Sequence, residues 1–162
     1  MTGLLAHEIQ QRIPFASLEV EAFLNLQRTA DRLRRALVEA LRPQGLSPTG
    51  YNLLRMLRGT AEGLPCSEVS ARLVAHDPDV TRLADRLAEA GLLERARKAG
   101  DRRVVVLRIT PTGLTLLNRL GPELELLHRR LLGHLSADRL TTLIDLLEEA
   151  RTPPPVPSPE TP

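Results

Sequence analysis

The sequence contains few aromatic residues and a single cysteine. Two Phe and one Tyr are the only aromatic residues in the 162-residue chain, which has no Trp. Because 42% of the residues are nevertheless hydrophobic, the core must be built from aliphatic side chains, mostly Leu, Ala and Val. A single cysteine excludes an intrachain disulfide, as is usual in a reducing cytoplasm. We therefore expect a cytoplasmic protein with an aliphatic core.

Signatures of membrane proteins and enzymes are also missing. No run approaches the ~18 apolar residues of a membrane span, and the N-terminus lacks the basic-then-apolar layout of a signal peptide. No Ser-His-Asp set, Gly-rich phosphate loop or plausible pair of acids is present. His128 and His134 are six residues apart, not the three or four that brings ligands together on one helix face, and His7 and His76 have no visible partners. We predict no catalytic residues, no metal site, no cofactor and no membrane partner.

Positive charge is concentrated in one segment, between Leu92 and Thr110. The chain has a net charge of +2, but this segment alone has +4, from six basic and two acidic residues. Such a concentration is a local electrostatic footprint rather than a general solubility device. A solvated surface hairpin is the simplest explanation of a charge run, so the neighbouring segments must decide.

Two helices are predicted before this segment. Apolar residues three or four apart indicate a helix from Glu19 to Leu41. Ser47 is the predicted N-cap of a second helix, which has Pro48 in its first position and ends near Arg58. A loop is expected over residues 59–65.

Two shorter helices, separated by a turn, follow this loop. Ser67 is the predicted cap of the first, over residues 68–74, and residues 76–78 form the turn. The second extends from Pro78 to Ala90, with Gly91 in a C-cap role. Its predicted inward face consists of Val80, Leu83, Ala84 and Leu87. Two helices in this arrangement form a helix-turn-helix.

The basic segment is predicted to be a β-hairpin. The runs LLERAR and RVVVLRI are typical of strands, and Gly100 permits the turn between them. A helix-turn-helix followed by a basic hairpin is a winged helix. The predicted fold class is therefore mainly α, with a small β-hairpin as the wing.

The C-terminal part of the chain is rich in leucine. A helix is predicted after Thr110-Pro111-Thr112-Gly113, through about Leu131, with a kink or brief break at Gly121-Pro122. Ser136 is the predicted cap of a last helix, whose apolar stripe contains Leu140, Leu143, Ile144 and Leu147. The final stretch, TPPPVPSPETP, cannot build a core and is expected to be extended and disordered.

Three motifs resemble the MarR family of bacterial transcriptional regulators. They are Val80-Thr81-Arg82-Leu83, Ala90-Gly91-Leu92-Leu93, and Asp101-x-Arg103 followed by Leu107-x-Ile109-Thr110-x-x-Gly113, within a resemblance that covers roughly residues 17 to 150. The resemblance implies a homodimer that binds a pseudo-palindromic operator. In such regulators a small molecule or an oxidant often causes the protein to release the DNA. The resemblance also implies a first dimerisation helix within residues 1–46, a DNA-binding winged helix in 47–110, C-terminal dimerisation helices in 111–151 and a disordered tail in 152–162.

The hairpin of a DNA-binding winged helix has a specific task. Asp101 and Arg103 are two residues apart on a predicted strand, so their side chains emerge from the same face. The carboxylate can hold the guanidinium extended toward an A·T-rich minor groove, whose negative potential attracts arginine. An exposed salt bridge adds only about 0–1 kcal/mol, so stability explains the pair poorly. The predicted DNA-binding residues of the wing are Arg97, Lys98, Asp101, Arg102 and Arg103.

The second helix of the helix-turn-helix is the predicted recognition helix. Thr81 and Arg82 match the family's groove-facing positions, and an arginine can bind guanine O6 and N7 with two hydrogen bonds. Arg86 is expected to do the same or to contact a phosphate. Asp79 has two open interpretations, as a partner of the helix dipole or as an acceptor from a cytosine amino group. The predicted DNA-binding residues of this helix are Pro78, Asp79, Thr81, Arg82 and Arg86.

An effector site is predicted from position alone. In the family the ligand crevice lies between the dimer helices and the winged helix, where Phe23, Gln27, Tyr51 and Arg55 are placed by the resemblance. Apolar walls with Arg55 as a carboxylate partner suit a small aromatic or phenolic acid. The alternative is that Phe23 and Tyr51 are core residues and that Arg55 is solvated. Oxidant-sensing relatives have their cysteine near the first helix, so Cys66 does not match them.

Two classes of function are compatible with these features. The first is a DNA-binding transcriptional regulator, expected to be a repressor. The second is a winged helix that docks on another protein and uses the leucine-rich helices as its contact surface. A protein-docking wing does not need Arg102 and Arg103 beside Asp101, which favours the regulator.

Overall fold

The computed structural model describes residues 3–74, 79–98 and 101–152, without the side chains of residues 98 and 101–103. Within these residues the chain is mainly helical with a small antiparallel sheet, which confirms the predicted fold class. The predicted turn at residues 76–78, Gly100 and the tail from 153 to 162 lie outside the described residues. The elements are α1 (Leu4–Glu8), α2 (Leu18–Leu41), a 3₁₀ turn (Arg42–Gln44), α3 (Pro48–Arg58), β1 (Leu64–Pro65), α4 (Cys66–Arg72), α5 (Val80–Glu89), β2 (Leu93–Lys98), β3 (Asp101–Ile109), α6 (Pro111–Leu132) and α7 (Ala137–Arg151).

The described residues divide into two compact units, one that ends at Leu124 and one that begins at Glu125. The core of the first unit is aliphatic, as predicted, and its most deeply buried side chains are Leu41, Leu53, Leu54, Leu57, Val69, Leu107, Leu120 and Leu124. In the second unit α7 has no buried residue. None of the described helices is long and apolar enough to cross a membrane.

Helix α1 is an element that sequence reasoning missed. It has only five residues, which is too short for a helical period to be recognised. Leu5 and Ala6 are buried, and Glu8 forms an ion pair at 3.4 Å with the Arg28 guanidinium of α2. The N-terminal segment is therefore fixed by tertiary contacts and not by its own periodicity.

At the start of α2, a hydrogen bond with the Ser17 hydroxyl lowers the pKa of the Glu19 carboxyl group.

Helix α3 has the predicted bounds and cap. The Ser47 hydroxyl accepts a hydrogen bond at 3.0 Å from the backbone N–H of Gly50, and Pro48 is the first helical residue. A side-chain cap satisfies one of the backbone donors that every helix start leaves unpaired. Leu53, Leu54 and Leu57 are buried against the rest of the first unit.

The predicted start of α4 is wrong. The helix begins at Cys66 and has Pro65 at its cap position, with no side-chain capping bond, so Ser67 is not the cap. The predicted loop contains strand β1, in which Leu64 pairs with Leu107 and Pro65 with Val106 of β3. This strand pairing positions the chain so that α4 begins two residues earlier than the local capping pattern indicated.

Helix α5 confirms the predicted amphipathic pattern. Val80, Leu83, Ala84 and Leu87 are all buried, and they recur at the three- and four-residue spacing of one helix face. Gly91 follows the helix with φ +69, in the left-handed region that glycine adopts without strain, as its predicted C-cap role requires.

The sheet has the strand order β1-β3-β2 and is antiparallel throughout. The predicted hairpin strands are confirmed: Leu93 pairs with Ile109 and Arg95 with Leu107, and the register shifts between Arg97 and Lys98. Strand β1 was not predicted, because its two residues are too few to show the alternation of apolar and polar side chains that indicates a strand.

Helices α6 and α7 follow the sheet. Gly121 and Pro122 lie inside α6, so the helix is not broken there. Leu120 and Leu124, on either side of the proline and four residues apart, are both buried, so one apolar stripe continues across this site. Ser136 caps α7 as predicted and accepts from the Arg139 N–H at 3.4 Å.

Candidate nucleic-acid interface

The outward face of α5 is polar and charged. Because the opposite face is buried, Thr81, Arg82 and Arg86 are exposed to solvent, as the prediction for a recognition helix requires. The Arg82 side chain is 79% exposed, and its guanidinium lies 3.8 Å from the Asp79 carboxylate. Pro78 lies outside the described residues.

Asp79 is the N-cap of α5. Its carboxylate Oδ1 accepts a hydrogen bond at 3.0 Å from the backbone N–H of Arg82. A carboxylate at this place also interacts favourably with the positive end of the helix dipole. Of the two open interpretations of Asp79, the geometry favours the role at the helix start, while base recognition stays a prediction.

The wing is formed by β2 and β3. Arg97 is exposed on β2, two residues beyond Arg95. Asp101, Arg102 and Arg103 begin β3, and Asp101 pairs with Lys98 across the hairpin. The side chains of Lys98 and of residues 101–103 lie outside the described part of the chain, so the orientation predicted for Arg103 stays a prediction.

One contact between the recognition helix and the wing was missed by sequence reasoning. Asp85 of α5 and Arg95 of β2 form a hydrogen-bonded ion pair through carboxylate Oδ1 and a terminal guanidinium nitrogen. Asp85 is ten residues before Arg95, in a different kind of element, so no local spacing rule pairs them. A sequence signal for this ion pair is weak: Arg95 is two residues after Leu93 on a predicted strand, so the two side chains share the face that a leucine is expected to turn toward the core.

The motif Thr110-x-x-Gly113 fastens the end of the winged helix. The Thr110 hydroxyl donates to the Gly91 carbonyl at 2.7 Å and accepts from the Gly113 N–H at 3.1 Å. The Thr110 N–H donates to the Leu92 carbonyl at 3.1 Å. One side chain thereby connects the residues that follow the recognition helix to the first turn of α6.

The predicted effector residues lie on α2 and α3, two helices of the first unit that pack together. Phe23 and Gln27 are one turn apart on α2, and Tyr51 and Arg55 are one turn apart on α3. Phe23 is 59% exposed in the single chain, Gln27 and Arg55 are also exposed, and Tyr51 is half-buried. Phe23 is thus not a core residue of the isolated chain.

Among the described residues no group of His, Cys, Asp and Glu is arranged to hold a metal ion.

A helix-turn-helix with an amphipathic second helix, followed by a basic antiparallel hairpin, defines a winged-helix DNA-binding protein. The MarR family model matches residues 46–105. The transcriptional regulator PecS of Dickeya dadantii is 32% identical over 135 residues, which cover 80% of this chain and 81% of PecS. The chain belongs to the MarR family, and the prediction of a transcriptional regulator rather than an enzyme is confirmed.

Solved structures support the same assignment. A MarR transcription factor from Planctomyces limnophilus is 43% identical, with a TM-score of 0.66 over 83% of this chain and 98% of that one. CouR from Rhodococcus jostii RHA1, solved with p-coumaroyl-CoA bound, is 26% identical, with a TM-score of 0.73 over 88% of this chain and 99% of CouR.

Proposed function

We propose that this MarR-family regulator is a repressor that binds a pseudo-palindromic operator as a homodimer. The observation that carries the proposal is the combination of α5, whose buried inner face leaves Thr81, Arg82 and Arg86 exposed, with the adjoining hairpin of net charge +4. In a homodimer two such helices contact half-sites about one helical turn, ~10 bp, apart. Because chromosomal DNA is cytoplasmic in bacteria, the proposal places the protein in that compartment.

Exposed apolar side chains support the homodimer. On α2, Val20, Phe23 and Leu26 are exposed, and on α7 Ile144 is 54% exposed. Contiguous exposed apolar residues usually belong to an interface, and the commonest soluble assembly is a twofold homodimer. We therefore assign contacts with a second copy of the chain to the apolar side chains within residues 19–41 and 114–150.

The two DNA-contacting elements have separate tasks in this proposal. Arg82 and Arg86 project from α5 toward base edges and phosphates of the major groove, where an arginine reads guanine with two hydrogen bonds. Arg103 enters the flanking minor groove, with Asp101 orienting its guanidinium and Arg97, Lys98 and Arg102 contacting phosphates.

The test separates the wing from the recognition helix. The probe is a duplex that the wild-type dimer selects from a random pool, prepared with A·T-rich and with G·C-rich flanks. Arg103→Ala should weaken binding to the A·T-flanked duplex more than to the G·C-flanked one, because only the narrow minor groove attracts the arginine. Arg82→Ala should cost about 1–3 kcal/mol at one base position and relax specificity there, whatever the flanks. Fluorescence anisotropy titrations measure both effects.

Two results would contradict the proposal. Unchanged affinity of Arg103→Ala for the A·T-flanked duplex would remove the wing from the interface. Because phosphate contacts release counterions, wild-type affinity should fall steeply as salt is raised. A flat salt response would instead favour the alternative, a winged helix that docks on protein.

We further propose that a small aromatic or phenolic acid releases the operator. Phe23 and Tyr51 would contact its ring, Gln27 would hydrogen-bond to it, and Arg55 would pair with its carboxylate. The exposure of Phe23 in the single chain and the phenolic ring of the p-coumaroyl-CoA bound by CouR support an aromatic ligand. Such a ligand acts only through unequal affinity for the DNA-competent and DNA-incompetent dimers.

Titration of salicylate into the protein–operator complex tests the effector site. Release from the wild type but not from Arg55→Ala is the expected result, because the variant lacks the carboxylate partner. Arg58→Ala is the matched control, since Arg58 is also an exposed arginine in the last turn of α3 and is not part of the proposed site. If salicylate and related acids neither release DNA nor shift the melting temperature of the free dimer, these four residues do not form an effector site.

A further inference from the structure

We propose that the Asp85–Arg95 ion pair is a positioning device that sets the placement of the wing relative to the recognition helix on DNA. It joins the two elements to which the proposed function assigns DNA contacts, and the inference rests on that function. Its two residues act through Arg82, Arg86 and the wing rather than by reading bases themselves.

Asp85 occupies the outward face of α5. It is four residues after Thr81 and three after Arg82, so it lies one turn along the helix from both, away from the buried stripe. A carboxylate in this position would face the phosphates of a bound duplex and repel them. A recognition helix that retains an aspartate here therefore needs a reason other than direct DNA attraction.

Arg95 occupies the inner face of β2. It is two residues after Leu93 and pairs across the sheet with Leu107, and both leucines are buried. Residues two apart on a strand, and residues directly opposite on paired strands, share one face. The arginine stem thus emerges beside the core, and its side chain is only 31% exposed, compared with 45% for Asp85.

The ion pair has two consequences for the interface. The guanidinium neutralises the Asp85 carboxylate, which lies on the outward face of α5 one turn from Thr81 and Arg82. It also fixes the base of β2 to α5, so the path of the hairpin from Arg95 through Arg97 starts from a defined point on the recognition helix. Contacts in two adjacent grooves require such a fixed separation, because a misplaced wing cannot reach its groove while α5 is seated.

The sign of one substitution separates positioning from electrostatics. Asp85→Asn removes a negative charge that faces DNA, so charge alone predicts tighter binding. Positioning predicts the opposite for the selected A·T-flanked duplex, with affinity about fivefold weaker, the size of a coupling between contacting residues. On a random duplex without a preferred site, where only charge matters, Asp85→Asn should bind as tightly as the wild type or more tightly.

A double-mutant cycle completes the test. Arg95→Gln should weaken binding to the selected duplex, whereas Asp85→Asn/Arg95→Gln should be no weaker than Arg95→Gln alone, since the pair is already broken. Arg95→Lys keeps a cation within reach of Asp85 and should therefore retain most of the wild-type affinity for the selected duplex, unlike Arg95→Gln. The control is Arg108→Gln, which removes an equal charge from the same sheet but from an arginine paired with Glu62, not with α5. This control should leave the ratio of the affinities for the selected and the random duplex unchanged.

The inference would be overturned if the Asp85→Asn variant bound the selected duplex as tightly as the wild type or more tightly. Thermal melting of each variant shows whether a weaker complex reflects unfolding, and a fully folded Asp85→Asn with reduced operator affinity is the supporting result. If the wild type prefers its selected duplex but the pair variants bind that duplex as tightly as the wild type does, only the positioning role fails. If the wild type binds neither duplex, the proposed function fails and this inference with it.

Discussion

Gly113→Ala should destabilise the protein by about 3 kcal/mol, the size of a severe overpacking substitution. Alanine at this site would place its Cβ in overlap with the Leu92 carbonyl oxygen and 2.8 Å from Cγ1 of Ile109. The carbonyl is backbone and cannot rotate away as the end of a flexible side chain can. The usual gain of up to ~1 kcal/mol when alanine replaces a helical glycine is therefore reversed in sign.

The consequence extends to the elements to which the proposed function assigns DNA contacts. The Gly113 N–H donates to the Thr110 hydroxyl, which in turn donates to the Gly91 carbonyl directly after α5. Displacing Gly113 therefore strains the connection between the recognition helix and α6. Urea denaturation of the wild type and of the variant measures the loss in unfolding free energy.

Gly59→Ala is the matched control for this substitution. Gly59 also adjoins a helix end, but its φ is −80 and the nearest atom to an added Cβ is 3.6 Å away, an ordinary contact. We expect its free energy of unfolding to stay within about 0.5 kcal/mol of the wild-type value. A Gly113→Ala midpoint equal to that of the wild type would show that the close approach of α6 to Leu92 is not a constraint on this site.

Ile144→Glu should convert the dimer to a monomer and reduce operator affinity at least ~100-fold. In the single chain Ile144 is 54% exposed, so a charge there would be almost neutral if the chain functioned alone. In the proposed dimer the same side chain is buried against a second copy, where an unpaired carboxylate is costly. A monomer contacts one half-site and loses the gain in effective concentration that linked half-sites provide.

Light scattering of free protein and anisotropy titrations with the selected duplex measure both effects. Deleting residues 136–150 should likewise give monomeric or insoluble protein. Thr142→Glu, an exposed position about half a turn around α7 from Ile144, is the control and should remain dimeric. A dimeric Ile144→Glu variant, or a truncated protein that stays dimeric, would contradict the assigned interface.

Local chemistry was sufficient for the winged-helix elements. Sequence patterns alone predict the buried stripe of α5, the Ser47 and Ser136 caps and the two hairpin strands, and the structure confirms all of them. Each depends on residues within a turn or two of one another: a capping side chain three residues from its donor, or an apolar period of three and four. Interactions of this range are determined by the order of residues along the chain.

Tertiary contacts decided what local patterns could not. Pairing of Leu64 with Leu107, 43 positions later, created β1 and moved the start of α4 to Cys66 in spite of the capping pattern at Ser67. The continuous burial of Leu120 and Leu124 kept α6 unbroken at Pro122, although a proline removes a backbone donor.

The candidate site divides in the same way. Thr81, Arg82 and Arg86 were selected by their places relative to an apolar stripe, and the structure exposes all three. The Asp85–Arg95 ion pair and the anchoring of Thr110 to Gly91 were not found, because their partners come from different elements. The sequence by itself determined which face of α5 is exposed and which segment of the chain carries the excess of positive charge. Only the tertiary structure decided which carboxylate meets which guanidinium, because that depends on how a helix and a strand pack rather than on any spacing along the chain.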